Sequence, residues 1–110
     1  MANANDVKIK PIPITLDKER TLLYDFNAFI ELEEIYGDIN KAFKGLEQLK
    51  MRPIRDMIWA GLIHEDENLT PKQVGKMLNM ANMQEIAAKI VEALGISLPE
   101  PEAKPGKSGE

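Results

Sequence analysis

The sequence predicts a mainly α domain with a small N-terminal β-hairpin, an α+β chain whose roughly five short helices form a compact bundle. Three observations predict it. Apolar residues alternate with polar ones between Val7 and Phe26, the period of a strand; beyond that they recur every three to four residues, the period of a helix. Helix starts and stops punctuate the second region at Gly37, Asp38, Pro53, Thr70, Asn82 and Gly95. The chain has 110 residues, 44% apolar and 29% charged, enough for one globular core and too little for two.

Residues 1–6 are polar apart from Met1 and two alanines and read as a disordered start, with the folded domain over residues 7–98. The hairpin spans residues 8–25, with strands over 8–16 and 20–25. Val7, Ile9, Ile12, Ile14 and Leu16 alternate with polar residues, with one slip at Lys10-Pro11. Pro11 and Pro13 remove backbone donors, which confines this strand to an edge or a bulge. Asp17 to Arg20 is the polar break, and Leu22, Tyr24 and Phe26 continue the alternation. An isolated hairpin is marginal in water, so its apolar face must rest on helices.

The first helix, over about 27–36, carries Phe29, Leu32 and Tyr36 on one stripe and ends at Gly37. The second, over 39–49, starts from Asp38 as N-cap; Ala42, Phe43 and Leu46 face inward. Gly45 weakens it by ~1 kcal/mol relative to alanine. The third, over 53–64, begins at Pro53 and buries Ile54, Met57, Ile58, Gly61 and Leu62. The fourth, over 71–80, has a capping box, Thr70-Pro71-Lys72-Gln73, and an apolar face of Val74, Met77 and Leu78. The fifth, over 83–94, starts from Asn82, places Met83, Ile86, Ala87, Ile90, Val91 and Leu94 on one side, and stops at Gly95. Residues 99–110 are rich in Pro, Glu and Gly with one alanine as the sole apolar side chain, and read as a disordered tail.

Composition removes several function classes. Without cysteine there are no disulfides, thiolate metal sites or cysteine nucleophiles. No apolar run approaches the ~20 residues of a membrane span, and residues 1–10 carry no signal-peptide core. The net charge is −4, which disfavours sequence-independent nucleic-acid binding. That charge is ordered in blocks: Thr21–Asn40 holds five acids and no base, Lys41–Arg55 five bases and one acid, Asp56–Leu69 four acids and no Lys or Arg. Such blocks are either the facing, mutually attractive surfaces of neighbouring helices or a charged surface that selects a partner.

The single histidine, His64, precedes Glu65-Asp66-Glu67 and invites a metal reading. It lacks a second histidine four residues on, and the stretch lacks the glycine and terminal glutamate of a calcium loop. A polar loop after a helix explains it. No glycine-rich phosphate loop and no enzyme signature are present, so no catalytic residue, metal or cofactor is expected. Leu69 to Leu94 has the outline of a helix-turn-helix, but the would-be recognition helix has no arginine and carries Glu85 and Glu92. Met77, Met80 and Met83 cluster around the last interhelical turn. They are core filler or, with Ile96, an adaptable surface for a partner helix.

Two further blocks go beyond periodicity. Asp25-Phe-Asn-Ala28, Glu31-Leu-Glu-Glu34 and Gly37 stand in one helix, and Ile58-Trp-Ala-Gly-Leu62 in another. Behind them come the acidic, His-containing loop His64–Asn68 and then Leu69-Thr70 with Val74-Gly75. In this order, over about residues 12–96, they resemble the tail assembly chaperones of long-tailed phages and gene transfer agents. Pro11 and Pro13 depart from that family's first strand. The resemblance implies a non-enzymatic protein of the host cytoplasm that binds the tape measure protein, assists tail-tube assembly, and is absent from the mature virion. The charge and the lack of a long apolar run point to no nucleic-acid or membrane partner, and homo-oligomerisation is left open. A small helix-turn-helix regulator and a structural tail or connector component are the alternatives.

Overall fold

The computed structural model describes residues 10–95. The expectations for residues 1–9 and 96–110, which include Ile96 and the tail, lie outside the described residues. A two-stranded antiparallel hairpin, β1 (Ile12–Thr15) and β2 (Glu19–Leu22), is followed by five helices: α1 (Phe26–Tyr36), α2 (Ile39–Glu47), α3 (Met51–Leu62), α4 (Pro71–Gly75) and α5 (Met83–Leu94). A short 3₁₀ turn, Met80–Asn82, leads into α5. The expected α+β class is the observed one.

The strands pair from Ile12↔Leu22 to Thr15↔Glu19, and Ile12, Ile14, Arg20 and Leu22 face the core. The second strand is shorter than the expected 20–25. Asp25 caps α1, its Oδ1 accepting the Ala28 N–H at 2.9 Å, and this draws the chain out of the ladder. Tyr24 still turns inward, but Phe26 becomes the first helical residue and is 80% exposed. The outer edge of β2 is closed by α3 and the loop after it. Leu23 N–H donates to Gly61 O, Thr21 N–H to Glu65 Oε2, and His64 Nε2 donates to Thr21 O at 2.7 Å. Thr21 thus spends its backbone groups outward, so Pro13↔Thr21 is the non-hydrogen-bonded pair and the proline deletes no ladder bond.

Arg20 is buried at the end of the hairpin. Its Nε and Nη2 donate to Asp17 at 2.7 and 3.0 Å, and Nη1 lies 3.8 Å from Asp66. The Arg20 hydrogen bond lowers the Asp17 pKa to about 2, and the Arg20 pKa is raised in return. A depressed carboxylate pKa stabilises the fold above the ordinary value of about 4, and that contribution is lost as pH falls through the folded-state value. The stability difference between wild type and Asp17→Asn should therefore shrink between about pH 4 and about pH 2. Denaturant titrations at stepped pH would show it; a difference that stays constant across that window would refute the linkage.

Local caps set most helix ends. Asp38 Oδ1 accepts the Asn40 N–H at 2.9 Å, and Gly37 and Gly95 close α1 and α5 at φ +76 and +69. The capping box forms in both directions: Gln73 N–H to Thr70 Oγ1 at 3.2 Å, and Thr70 N–H to Gln73 Oε1 at 2.8 Å. Other boundaries differ from expectation. α3 starts two residues before Pro53, which still lies in the first turn, where its missing N–H has no intrahelical acceptor anyway. It ends at Leu62, so Ile63 and His64 belong to the connection. α4 stops at Gly75, not at residue 80. Lys76 and Met77 N–H groups tighten onto Gln73 and Val74, and Asn79 then turns extended and accepts the Ala81 and Asn82 N–H groups at 2.9 and 3.2 Å. Asn82, the expected cap of α5, makes no side-chain cap bond because Asn79 has taken that role.

α2 ends at Glu47, two residues early, in a Schellman closure: Lys50 N–H donates to Gly45 O and Leu49 N–H to Leu46 O. The left-handed position, normally glycine, is Leu49 at φ +57. A left-handed non-glycine residue costs about 1–2 kcal/mol, and glycine's larger unfolded-state entropy returns part of any relief. Leu49→Gly should stabilise the domain by roughly 0.5–1 kcal/mol, read as a raised denaturation midpoint. A lowered midpoint would show that packing of the half-exposed leucine outweighs the strain.

α3 is the axis of the fold, in contact with β2, α1, α2, α4 and α5. Ile54, Met57, Ile58, Ala60 and Leu62 are buried along it. Gly61 lets the hairpin approach: a Cβ there would meet Leu22 Cδ2 and Tyr24 Cζ at 2.9 Å. Tyr24 is fully buried and donates its hydroxyl to Met57 O at 2.6 Å; burial pushes its phenol pKa up. Trp59, half-buried, ties α3 to the segment before α4 by donating Nε1–H to Leu69 O at 2.7 Å.

Candidate functional site

An apolar concavity open to solvent lies between the start of α3 and the 3₁₀ turn into α5. Its volume is about 340 Å³, and Met51, Ile54, Leu78, Met80, Met83 and Ile86 line it, with Arg52 and Arg55 at its side. Local structure explains why it is open. Met51 is the first residue of α3, ahead of any packing partner, and is 63% exposed. The Asn79 cap turns the chain so that Met80 stands out at 70% exposure, while Met83, a turn later, packs partly on the core. Three thioether side chains around one groove make a surface that can re-pack on different apolar shapes.

Its basic side is fixed from beneath. Arg55 Nε and Nη2 donate to Asp56 Oδ1 at 3.0 and 2.9 Å, and Tyr36 donates its hydroxyl to Asp56 Oδ2 at 2.8 Å. Asp56 is almost completely buried, so both its oxygens are satisfied inside the protein. Burial, aided by the hydrogen bond to Asp56, pushes the Tyr36 phenol pKa up. Arg52 forms no ion pair among the described residues. The groove therefore offers apolar contact with positive charge alongside, and no nucleophile or general base.

The methionines expected to bind a partner divide. Met80 and Met83 line the groove, whereas Met77 does not and packs half-buried against the core. Ile96 lies outside the described residues. Met51, Leu78 and the two arginines were not anticipated. Met51 is far away in sequence, with no periodic pattern pointing to it; Leu78 read as one face of a longer α4.

A more polar cleft of about 410 Å³ brings Asp25, Glu31, Glu67 and His64 near Trp59. Its histidine and one carboxylate are committed to backbone, His64 to Thr21 O and Asp25 to the α1 cap. Among the described residues no group of three His, Asp or Glu side chains is arranged to hold a metal, and no helix is long and apolar enough to cross a membrane. In comparisons with known proteins, no family model, no curated protein and no solved structure matched this chain.

Proposed function

We propose that this chain is a tail assembly chaperone of the kind made by long-tailed phages and gene transfer agents. In this reading it acts in the host cytoplasm, holds an apolar helical segment of the tape measure protein during tail-tube assembly, and is left out of the finished particle. The observation that carries the reading is the ordered set of sequence blocks, Asp25–Gly37, Ile58–Leu62 and Leu69–Gly75. Most of their residues serve the fold: Asp25 caps α1, Ala28 and Leu32 are buried, Gly61 admits the hairpin, and Val74 is buried. The methionine groove supplies the means, since an amphipathic helix lays its apolar side chains into such a surface.

Co-expression with the tape measure protein tests this. The chaperone should keep it soluble and co-purify with it. Met80→Glu with Met83→Glu should weaken that association by roughly tenfold or more, while the circular dichroism spectrum stays native. Retained binding in the double variant would remove the groove from the reading. An insoluble tape measure protein that never co-purifies would remove the chaperone role.

A further inference from the structure

We propose that the α1–α2 face, separate from the methionine groove, docks an amphipathic helix whose apolar stripe is flanked by lysine or arginine. The face is a shallow groove of about 400 Å³ lined by Phe26, Phe29, Ile30, Glu33, Ile39 and Phe43. Phe26 is 80% exposed and Ile30 39%, large apolar side chains with no structural work to do at the surface. The floor beneath them is firm: Phe29 packs on buried Tyr24 with ring centroids 6.3 Å apart, and Ile39 and Phe43 pack on the core.

Charge selects the occupant. At about 100° per residue, Glu33 falls between Phe29 and Phe26, and Glu34 falls beside Ile30. On α2 the nearest charged neighbour of Phe43 is Glu47, whereas Lys44 and Lys41 lie more than a quarter turn round the helix. The acidic block of α1 and the basic block of α2 are adjacent in space, yet no ion pair joins them among the described residues. Among the described residues the ion pairs are Arg20–Asp17, Arg20–Asp66 and Arg55–Asp56, none of which involves Glu33, Glu34 or Glu47. An apolar strip bearing carboxylates without an ion-pair partner favours cationic flanks on its ligand and disfavours acidic ones. The same carboxylates repel an anionic membrane surface.

The test uses the full-length protein and two labelled amphipathic peptides with one identical Leu/Phe stripe, flanked by lysines in one and by glutamates in the other. Anisotropy titration at low salt should show the lysine peptide binding roughly tenfold or more tightly, with the preference shrinking as salt rises. Phe26→Ser with Ile30→Ser should weaken binding of the lysine peptide by roughly tenfold or more. Glu33→Lys with Glu34→Lys should invert the preference between peptides. Circular dichroism checks that each variant stays folded; Phe26, Ile30, Glu33 and Glu34 are exposed. Equal binding of the two peptides, or indifference to the Phe26 variant, overturns the proposal. So does concentration-dependent self-association, or binding to zwitterionic vesicles, that Phe26→Ser abolishes, since the face would then serve a second copy or a membrane. Failure of the tape-measure experiment leaves this face untouched, and the reverse holds too.

Discussion

Asp56→Ala should destabilise the domain by about 3–5 kcal/mol, a large part of the 5–15 kcal/mol typical of a small domain. Asp56 is buried within α3 and accepts hydrogen bonds from both Arg55 and Tyr36, which stands at the end of α1. Removing the carboxylate strands a partly buried guanidinium and a phenol that has lost its acceptor. Arg55 is partly exposed and can recover some hydration, which favours the lower end of that range. For a domain of this size the midpoint of thermal unfolding should fall by roughly 12–24 °C. Tyr36→Phe keeps the carboxylate but leaves its buried Oδ2 without a donor, and should cost about 1.5–3 kcal/mol. Replacing all three polar groups together, as Tyr36→Phe, Arg55→Met and Asp56→Leu, should cost less than Asp56→Ala alone, because no polar group is left unpaired. Thermal and urea unfolding of the set measures this. A triple variant less stable than Asp56→Ala would mean that the cluster's net worth exceeds its desolvation cost.

Asp56 also marks where the sequence stops being informative. Its neighbours Ile54, Met57, Ile58 and Leu62 repeat at helical spacing, so α3 and its buried stripe are legible. A charged residue between Arg55 and Met57 reads as solvated, because the acceptor role depends on Tyr36, twenty positions away in another helix. Signals that act within four residues hold in the fold: the Asp38 cap, the Thr70–Gln73 box, and Gly37 and Gly95 as helix stops. The end of α4 was not legible for the opposite reason. Met77 and Leu78 continue the apolar period past Gly75, and only the turn built by Asn79 breaks it. Asn79 and Asn82 are equally good caps by residue type, and geometry alone chooses between them.

The candidate site divides in the same way. Met80 and Met83 were visible as a cluster because they flank one turn. Met77, in the same cluster, points to the core because α4 ends before it and the tightened turn swings it inward. Met51 enters the groove only because α3 packs against α4 and α5, a contact no local pattern encodes. Phe26 shows the limit most sharply. By alternation it continues the stripe of Leu22 and Tyr24, but the Asp25 cap changes the period from two to 3.6 at that residue and sends it outward.

Gly45→Ala should destabilise by about 2–3 kcal/mol, although helix propensity alone favours alanine by ~1 kcal/mol. Gly45 is buried in α2 where α3 crosses it. A Cβ there would overlap Pro53 Cγ directly and lie 2.6 Å from Pro53 Cβ. The proline ring cannot rotate away, so α2 and α3 must separate or shift, and an interior packed this closely does not absorb that freely. The glycine is thus a contact residue rather than a weak point in α2, which reverses the expectation drawn from propensity. The two sites must then be coupled. Pro53→Gly removes both obstructing carbons, the ring Cγ and the Cβ, and at the same time permits a normal first-turn N–H. In the double variant Gly45→Ala/Pro53→Gly, most of the Gly45→Ala cost should disappear, giving an interaction energy of about 1–2 kcal/mol. Urea midpoints for wild type, the two single variants and the double variant close the cycle. Strict additivity would show that the cost arises elsewhere in α2, while a stabilising Gly45→Ala would show that the helices separate at little cost.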